Sequence, residues 1–98
     1  MRYELAFRHE AEIDLEKSAK WYELQKESLG FDFLDEVEKK CSVIQETPLI
    51  FEEVYKRLRR VVIERFPFNI FYLVEGNSII IVAVIHGSRH PKRWQKRI

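Results

Sequence analysis

The side chains best suited to chemistry follow the most apolar segment of this sequence. Residues 79–85 are uninterrupted and mostly β-branched, a pattern typical of a strand that is buried on both faces. Residues 87–91 then bring a glycine, a serine and a proline, which turn or stop a chain. We therefore expect His86, Arg89 and His90 at the end of a central strand, where they can form a site.

Two kinds of chemistry fit these side chains. Arginines such as Arg60 and Arg89 can grip a phosphate through two parallel hydrogen bonds, and His86 can move a proton near neutral pH. Metal-free RNA cleavage needs a base, an acid and a cation on the phosphate, so Arg60, His86 and Arg89 are the candidate catalytic residues of a nuclease. A recognition surface would use the same cations without proton transfer.

Other chemistries find less support. His86 and His90 lie four residues apart, which suits a metal only on a helix, and His9 is the sole other histidine, so we expect no metal site. Ser88 lies close to His86 but lacks the third orienting group of a nucleophilic triad. Because the sequence also has no glycine-rich phosphate loop, we expect no cofactor.

Each candidate also has a structural interpretation. His86 can cap the strand end by bonding to the backbone, and Arg60 and Arg89 can form ion pairs with acidic helices. Trp94 is better suited to packing the C-terminal segment onto the sheet than to contacting a target. These alternatives stay open on the sequence alone.

Charge is divided unevenly along the chain. Residues 1–53 hold 14 acidic and 7 basic side chains, a balance of −7, whereas residues 54–98 hold 2 and 10, a balance of +8. This asymmetry predicts a basic surface for an anionic partner, either nucleic acid or an acidic protein segment. The alternative is internal neutralisation, in which acidic helices pack on a basic sheet.

Length and composition indicate one packed domain over residues 1–98. The hydrophobic fraction of 46% and the aromatic fraction of 13% argue against a disordered chain. The lone Cys41 excludes an internal disulfide and is expected to be a buried, inert thiol. Since no segment has the roughly 20 apolar residues of a membrane span and no signal-peptide pattern opens the chain, we expect a cytoplasmic protein without membrane contact.

Apolar spacing predicts the elements that position the site. Alternation over residues 3–7 indicates a strand, and helical spacing then indicates an amphipathic helix from about His9 to near Ser28. Gly30 fits the stop of this helix, and Pro48 closes a second one. The second helix carries the apolar stripe Leu34, Val37, Cys41 and Ile44.

Three strands follow, over residues 58–65, 69–75 and 78–85, with Gly76-Asn77 as a two-residue hairpin signal. The element order is therefore β-α-α-β-β-β. We predict an α+β fold with an N-terminal strand and an antiparallel helical hairpin packed on a twisted, mainly antiparallel four-stranded sheet. A short C-terminal helix or tail starts at Pro91.

These features together resemble the RelE/ParE superfamily of small bacterial toxins from type II toxin-antitoxin systems. The segment from Arg65 to Tyr72 is similar to the family's R-F-P-(aromatic)-x-I-x-Y, and Arg59-Arg60 leads into the meander. The segment from Ala83 to Arg97 is similar to A-V-x-H-x-x-R-x-P-x-x-W-x-x-R. The resemblance covers nearly the whole chain and is to the ParE-like branch.

The resemblance implies a toxin, of the kind known from plasmid stabilisation systems, that stops growth until a cognate antitoxin neutralises it. ParE-like members poison DNA gyrase without being nucleases, whereas RelE-like members cut mRNA on the ribosome. RelE-like nucleases typically place a tyrosine or histidine in the C-terminal stretch, but residues 92–98 have neither, and Trp94 cannot transfer a proton. Gyrase is therefore the favoured target. A ribosome-dependent endoribonuclease and a non-toxic nucleic-acid- or protein-binding relative remain the alternatives.

Two sets of binding residues follow from this resemblance. Apolar side chains off the main helical stripes would be left partly in water without a partner, so we expect an antitoxin segment to cover Trp21, Phe31 and Phe51. A homodimer and a hetero-oligomer with the antitoxin both stay open. The residues expected to bind the target are Arg60, His86, Arg89, Trp94 and Arg97.

Overall fold

Five strands and three helices make up residues 2–98, the part of the chain described by the computed structural model. None of the helices in this range is long and apolar enough to cross a membrane. The elements are β1 (Glu4–Phe7), α1 (His9–Gln25), α2 (Leu29–Glu46), β2 (Glu53–Tyr55), β3 (Leu58–Val62), β4 (Phe68–Glu75), β5 (Ser78–His86) and α3 (Lys92–Gln95).

Strand β5 is the most buried strand of the sheet, whose order is β1-β5-β4-β3-β2. It pairs with β1 in parallel and with β4 in antiparallel fashion. Parallel strands need a long connection, and here the chain passes through both helices and strands β2, β3 and β4 between β1 and β5. Residues 81–85 are all buried, which confirms the predicted strand covered on both faces, and the α+β fold is confirmed with it.

The sheet has one strand more than the four predicted. Strand β2 is three residues long and pairs with β3 across a tight turn in which Lys56 takes a left-handed φ of 53°. Arg59 fixes the preceding loop by donating to the carbonyl oxygens of Leu49, at 3.2 Å, and Phe51, at 2.6 Å. A strand of three residues leaves no periodic signal in the sequence.

An aromatic cluster joins the helices to the sheet. The Tyr22 ring lies 4.8 Å from Phe66 and 5.3 Å from Phe33, centroid to centroid. Phe33 therefore belongs to the buried stripe of α2, and the predicted Leu34 is partly exposed. The spacing from residue 33 to 37 is as regular as that from 34 to 37, so periodicity alone could not choose between the two neighbours.

The turn between the helices is built differently from the sequence prediction. Helix α1 ends at Gln25, Ser28 takes a left-handed φ of 70°, and Gly30 lies inside α2 rather than stopping α1. The Glu23 carboxylate accepts the N–H groups of Ser28, at 2.8 Å, and Gly30, at 3.0 Å, and so caps the start of α2. A Cβ atom on Gly30 would lie 2.6 Å from the carbonyl oxygen of Ala19. Glycine is needed here because the two helices approach so closely.

Replacing Gly30 by alanine should lower the free energy of unfolding by about 2 kcal/mol or more, because the new methyl group meets backbone that cannot move aside. Urea denaturation measures this loss. The matched control is Gly76→Ala, whose Cβ meets open space at a φ of +58° and should cost about 1 kcal/mol. A Gly30→Ala loss no larger than that of the control would contradict the close-approach explanation.

Cys41 is buried in this core, as predicted. Burial raises the pKa of its thiol to about 11, and the nearby Glu38 charge acts in the same direction. Since the thiolate is the reactive form of cysteine, this side chain is inert at neutral pH.

Candidate functional site

A groove runs between α1 and the loop that joins β5 to α3. Pro67 and Phe68 lie at its base, together with Tyr22. We call it the basic groove, and its walls are formed by Lys17, Ser18, Trp21, His86, Ser88, Arg89, His90 and Arg93. A smaller cavity continues from it along α1, and its lining adds the carboxylates of Glu10 and Asp14 as well as Lys96 and Arg97.

The groove begins where β5 outlasts its neighbour β1. Pairing between them ends at Phe7 and Ile81, so the backbone of residues 82–86 has an open edge toward α1. Two side chains form hydrogen bonds with the unpaired backbone groups of this edge. Asp14 accepts the Val84 N–H at 3.0 Å, and Arg97 donates to the Val82 carbonyl at 3.0 Å. Buried backbone groups need such partners, and here they also join α1 to the C-terminal segment.

Arg97 is held in an internal ion pair. It donates two hydrogen bonds to the Asp14 carboxylate, at 2.6 and 3.0 Å, and its side chain is 14% exposed. The hydrogen bond with Asp14 raises the pKa of Arg97 further. Arg8 also donates to the Arg97 carbonyl at 2.8 Å. The guanidinium N–H groups of Arg97 were predicted to bind the target, but in the structure they bind Asp14. Arg97 therefore joins the C-terminal segment to α1.

Trp94 packs the C-terminal segment onto the sheet, as its structural interpretation predicted. Its ring stacks on Phe71 with centroids 4.3 Å apart, and only 8% of the residue is exposed. Tyr55 meets the same ring edge-on at 6.3 Å. Trp94 thus lies inside a second apolar cluster, with Phe71 and Tyr55.

Arg60 lies on the other face of the sheet from His86. Its partner in the β3–β4 register is Phe71, which belongs to the apolar cluster of Trp94. The partner of His86 is Phe68, which belongs to the cluster under the helices. Paired residues project to the same face of a sheet. Of the three candidate nuclease residues, the structure therefore brings only His86 and Arg89 together.

His86 is held in one tautomer by its own loop. Its Nδ1 accepts the backbone N–H of Ser88 at 3.0 Å and lies 2.8 Å from the Ser88 hydroxyl. Because a backbone N–H can only donate, Nδ1 carries no proton, and the neutral ring has its proton on Nε2. His90 is held likewise by the Lys92 N–H at 3.1 Å. Each ring thus offers an Nε2–H donor to a ligand, and its basic nitrogen is already occupied.

The basic groove carries cations without counter-charges. Within residues 2–98, no carboxylate lies within 4.0 Å of Lys17, Arg89 or Arg93. By contrast, Arg59, Arg65 and Arg97 do pair with acids. Internal neutralisation and a basic surface, the two alternatives for the uneven charge, therefore each describe part of the molecule. No group of three or more His, Cys, Asp or Glu side chains within residues 2–98 is arranged to hold a metal ion.

Two of the three predicted antitoxin-binding residues are exposed. Trp21 is 58% and Phe31 71% exposed, and Trp21 stands at the groove with its ring at 81° to that of Tyr22. Phe51 is instead half-buried against the core, 6.5 Å from the Tyr72 ring. Phe51 therefore keeps only part of its surface in water, and its contact with the antitoxin stays a prediction.

The sequence predictions missed two cations of the groove, Lys17 and Arg93. Lys17 has a local signal, since it lies one turn before Trp21 on α1, whereas Arg93 has none, because Arg89 lies in the turn before α3. Residues four apart share a helix face. That spacing could have grouped Lys17 with Trp21.

Comparison with known proteins agrees with this geometry. The N-terminal strand, helical hairpin, mostly antiparallel sheet and short C-terminal helix match the fold of a solved ParDE structure. The sequence profile described as "ParE toxin of type II toxin-antitoxin system, parDE" matches residues 5–91. The chain therefore belongs to the family of ParE toxins of type II toxin-antitoxin systems.

Solved structures show the same fold at low sequence identity. A chain of the chromosomal ParDE toxin-antitoxin system from P. aeruginosa is 19% identical, with a TM-score of 0.76 over 87% of this chain and 96% of that one. A double mutant of E. coli toxin RelE in the free state is 14% identical, with a TM-score of 0.58 over 90% of this chain and 86% of that one. No curated protein matches the sequence.

Proposed function

We propose that this toxin inhibits growth by binding DNA gyrase through the basic groove, and that a cognate antitoxin neutralises it by covering the same side of the molecule. Membership of the ParE family supports the toxin role. A cytoplasmic location is part of the proposal, because gyrase acts on DNA inside the cell.

Arg60 and His86 lie on opposite faces of the sheet, and this observation favours gyrase binding over mRNA cleavage. Metal-independent cleavage needs a base, an acid and a cation around one phosphate. Arg60 lies on the far face of the sheet, and the Nδ1 of His86 is occupied by the Ser88 N–H. A binding surface needs shape and charge alone, and the groove offers both.

The target-binding residues are accordingly redistributed. His86 and Arg89 remain in contact with the target, joined by Lys17 and Arg93. Trp94 and Arg97 do not contact the target but hold the loop and α3 in place. Trp94 does so by stacking on the Phe71 ring and Arg97 by binding the Asp14 carboxylate. Arg60 has no part in the groove.

Two reactions run side by side test this proposal. Purified protein is added to gyrase with plasmid DNA, and separately to ribosomes programmed with mRNA. We expect loss of supercoiling in the first reaction and intact mRNA in the second. Cut mRNA with unaffected gyrase would establish the RelE-like activity instead, and no effect in either reaction would establish a relative that only binds.

The antitoxin part of the proposal is supported by exposed apolar side chains beside uncompensated cations. Trp21 and Phe31 stand out from the helical hairpin, and Arg89 and Arg93 face the same groove as Trp21. A disordered segment that folds on binding can bury apolar anchors and place acidic residues near the cations.

Replacing Trp21 by alanine should weaken the antitoxin complex by about 1 to 3 kcal/mol, as expected for an aromatic anchor. Titration calorimetry with the purified antitoxin measures the change. The matched control is Val62→Ala, which also removes an exposed apolar side chain but on the far face of the sheet. Equal affinities of the two variants and the wild type would remove Trp21 from the interface.

A further inference from the structure

We infer that the basic groove binds one strand of nucleic acid, with phosphates held by Lys17, Arg89 and Arg93 and a base stacked on Trp21. The inference deepens the proposed function by naming a DNA strand of the gyrase complex as the ligand of the groove. It rests on the proposed function only for the source of that strand.

Hydrogen-bond donors dominate the walls of the groove. Lys17, Arg89 and Arg93 have no carboxylate partner among residues 2–98. His86 and His90 add Nε2–H groups, because each Nδ1 already accepts a backbone N–H. Among residues 2–98, no carboxylate or side-chain amide lines the groove itself, and the two acids of the adjoining cavity, Glu10 and Asp14, both pair with Arg97. The complementary ligand carries negative charge and acceptors, which is the chemistry of a phosphodiester backbone.

Trp21 supplies the second half of the recognition. Its indole is 58% exposed, and an edge contact with Tyr22 at 5.1 Å holds it in place. Lys17 lies one turn earlier on the same face of α1, so a cation and an aromatic surface stand side by side. Cations that follow the backbone and aromatic rings that stack bases are the combination used to bind single strands.

An acidic peptide fits the groove less well. Carboxylates would satisfy Arg89 and Arg93, but an extended peptide also brings an N–H donor for each residue. Among residues 2–98, the side-chain oxygens that line the groove and could accept those donors are the hydroxyl groups of Ser18, Tyr22 and Ser88. A phosphodiester strand brings acceptors to every donor and a flat base to Trp21.

Fluorescence anisotropy with a labelled oligothymidylate tests the inference, beside a duplex and a polyglutamate peptide carrying the same label. We expect the single strand to bind most tightly. Three phosphate contacts should give a salt slope of about −2, so affinity should fall about 20-fold between about 50 and 200 mM salt. Binding should also quench tryptophan fluorescence, because Trp21 is exposed whereas Trp94 is buried.

Matched variants connect the signal to the groove. Arg93→Ala and Trp21→Ala should each weaken strand binding about tenfold. Arg57→Ala removes an exposed arginine at the β2–β3 turn and should leave it within about twofold. Tighter binding of the peptide, no binding of the strand, or equal losses in all three variants would overturn the inference.

The two proposals fail separately. Gyrase inhibition by a protein that does not bind the oligonucleotide would overturn the nucleic-acid inference and leave the proposed function standing. Oligonucleotide binding that depends on Arg93 and Trp21, with gyrase unaffected, would support the inference and overturn the gyrase target.

Discussion

Replacing Arg89 by alanine should raise the concentration of toxin needed for half-inhibition of gyrase by about 100-fold, the loss expected for a charged contact at the centre of an interface. The same variant should no longer stop growth when expressed in cells. Arg89 has no carboxylate within 4.0 Å among residues 2–98, so its guanidinium is free for a partner. If Arg89→Ala inhibits gyrase as strongly as the wild type, the target does not bind through the groove.

A control is needed for loss of folding, since an arginine in an internal ion pair would mimic a functional loss. The thermal midpoint of Arg89→Ala should match that of the wild type. Arg97→Ala supplies the contrast, because it leaves Asp14 without its two short hydrogen bonds and should lower both inhibition and the midpoint. Arg57→Ala, remote from the groove, should change neither.

Replacing Val84 by aspartate should prevent folding. Val84 is 1% exposed and packs in the cluster under the helices, and its own N–H is already bonded to the Asp14 carboxylate. An added carboxylate there would be buried and close to a like charge. We expect a cost above about 5 kcal/mol, comparable with the total stability of a small protein.

Soluble yield and thermal melting followed by circular dichroism measure this effect. Val62→Asp is the matched control, because Val62 lies on β3 with 61% of its surface exposed, and it should melt within a few degrees of the wild type. A soluble Val84→Asp protein with a cooperative melt would contradict the assignment of β5 as the buried central strand.

Local patterns predicted most of the fold. The apolar run of β5 and the helical spacing of α1 and α2 each lie within one segment, so the sequence shows them directly. Strand β2 was not predicted because its three residues are too few to show alternation, and it is recognised only by its pairing with β3. The ion pair of Asp14 and Arg97 joins residues 83 positions apart, and no local pattern encodes a contact of that kind.

The candidate site was predicted in part for the same reason. His86 and Arg89 follow the central strand directly, so the end of that strand placed them together. Arg60 is far away in sequence, and only the strand register shows that it faces the other side of the sheet. Lys17 enters the groove from α1, and its role depends on how the helix is rotated over the sheet.

We propose that the groove recognises its target without proton transfer at His86. Inhibition of gyrase supercoiling by His86→Gln tests this most directly, since glutamine keeps a hydrogen-bond donor but cannot act as an acid or base near pH 7. We expect a half-inhibitory concentration within about threefold of the wild type. A well-folded His86→Gln protein that no longer inhibits growth, while the wild type cuts mRNA and leaves gyrase unaffected, would contradict the claim, because loss of a general acid or base lowers cleavage about 100-fold or more.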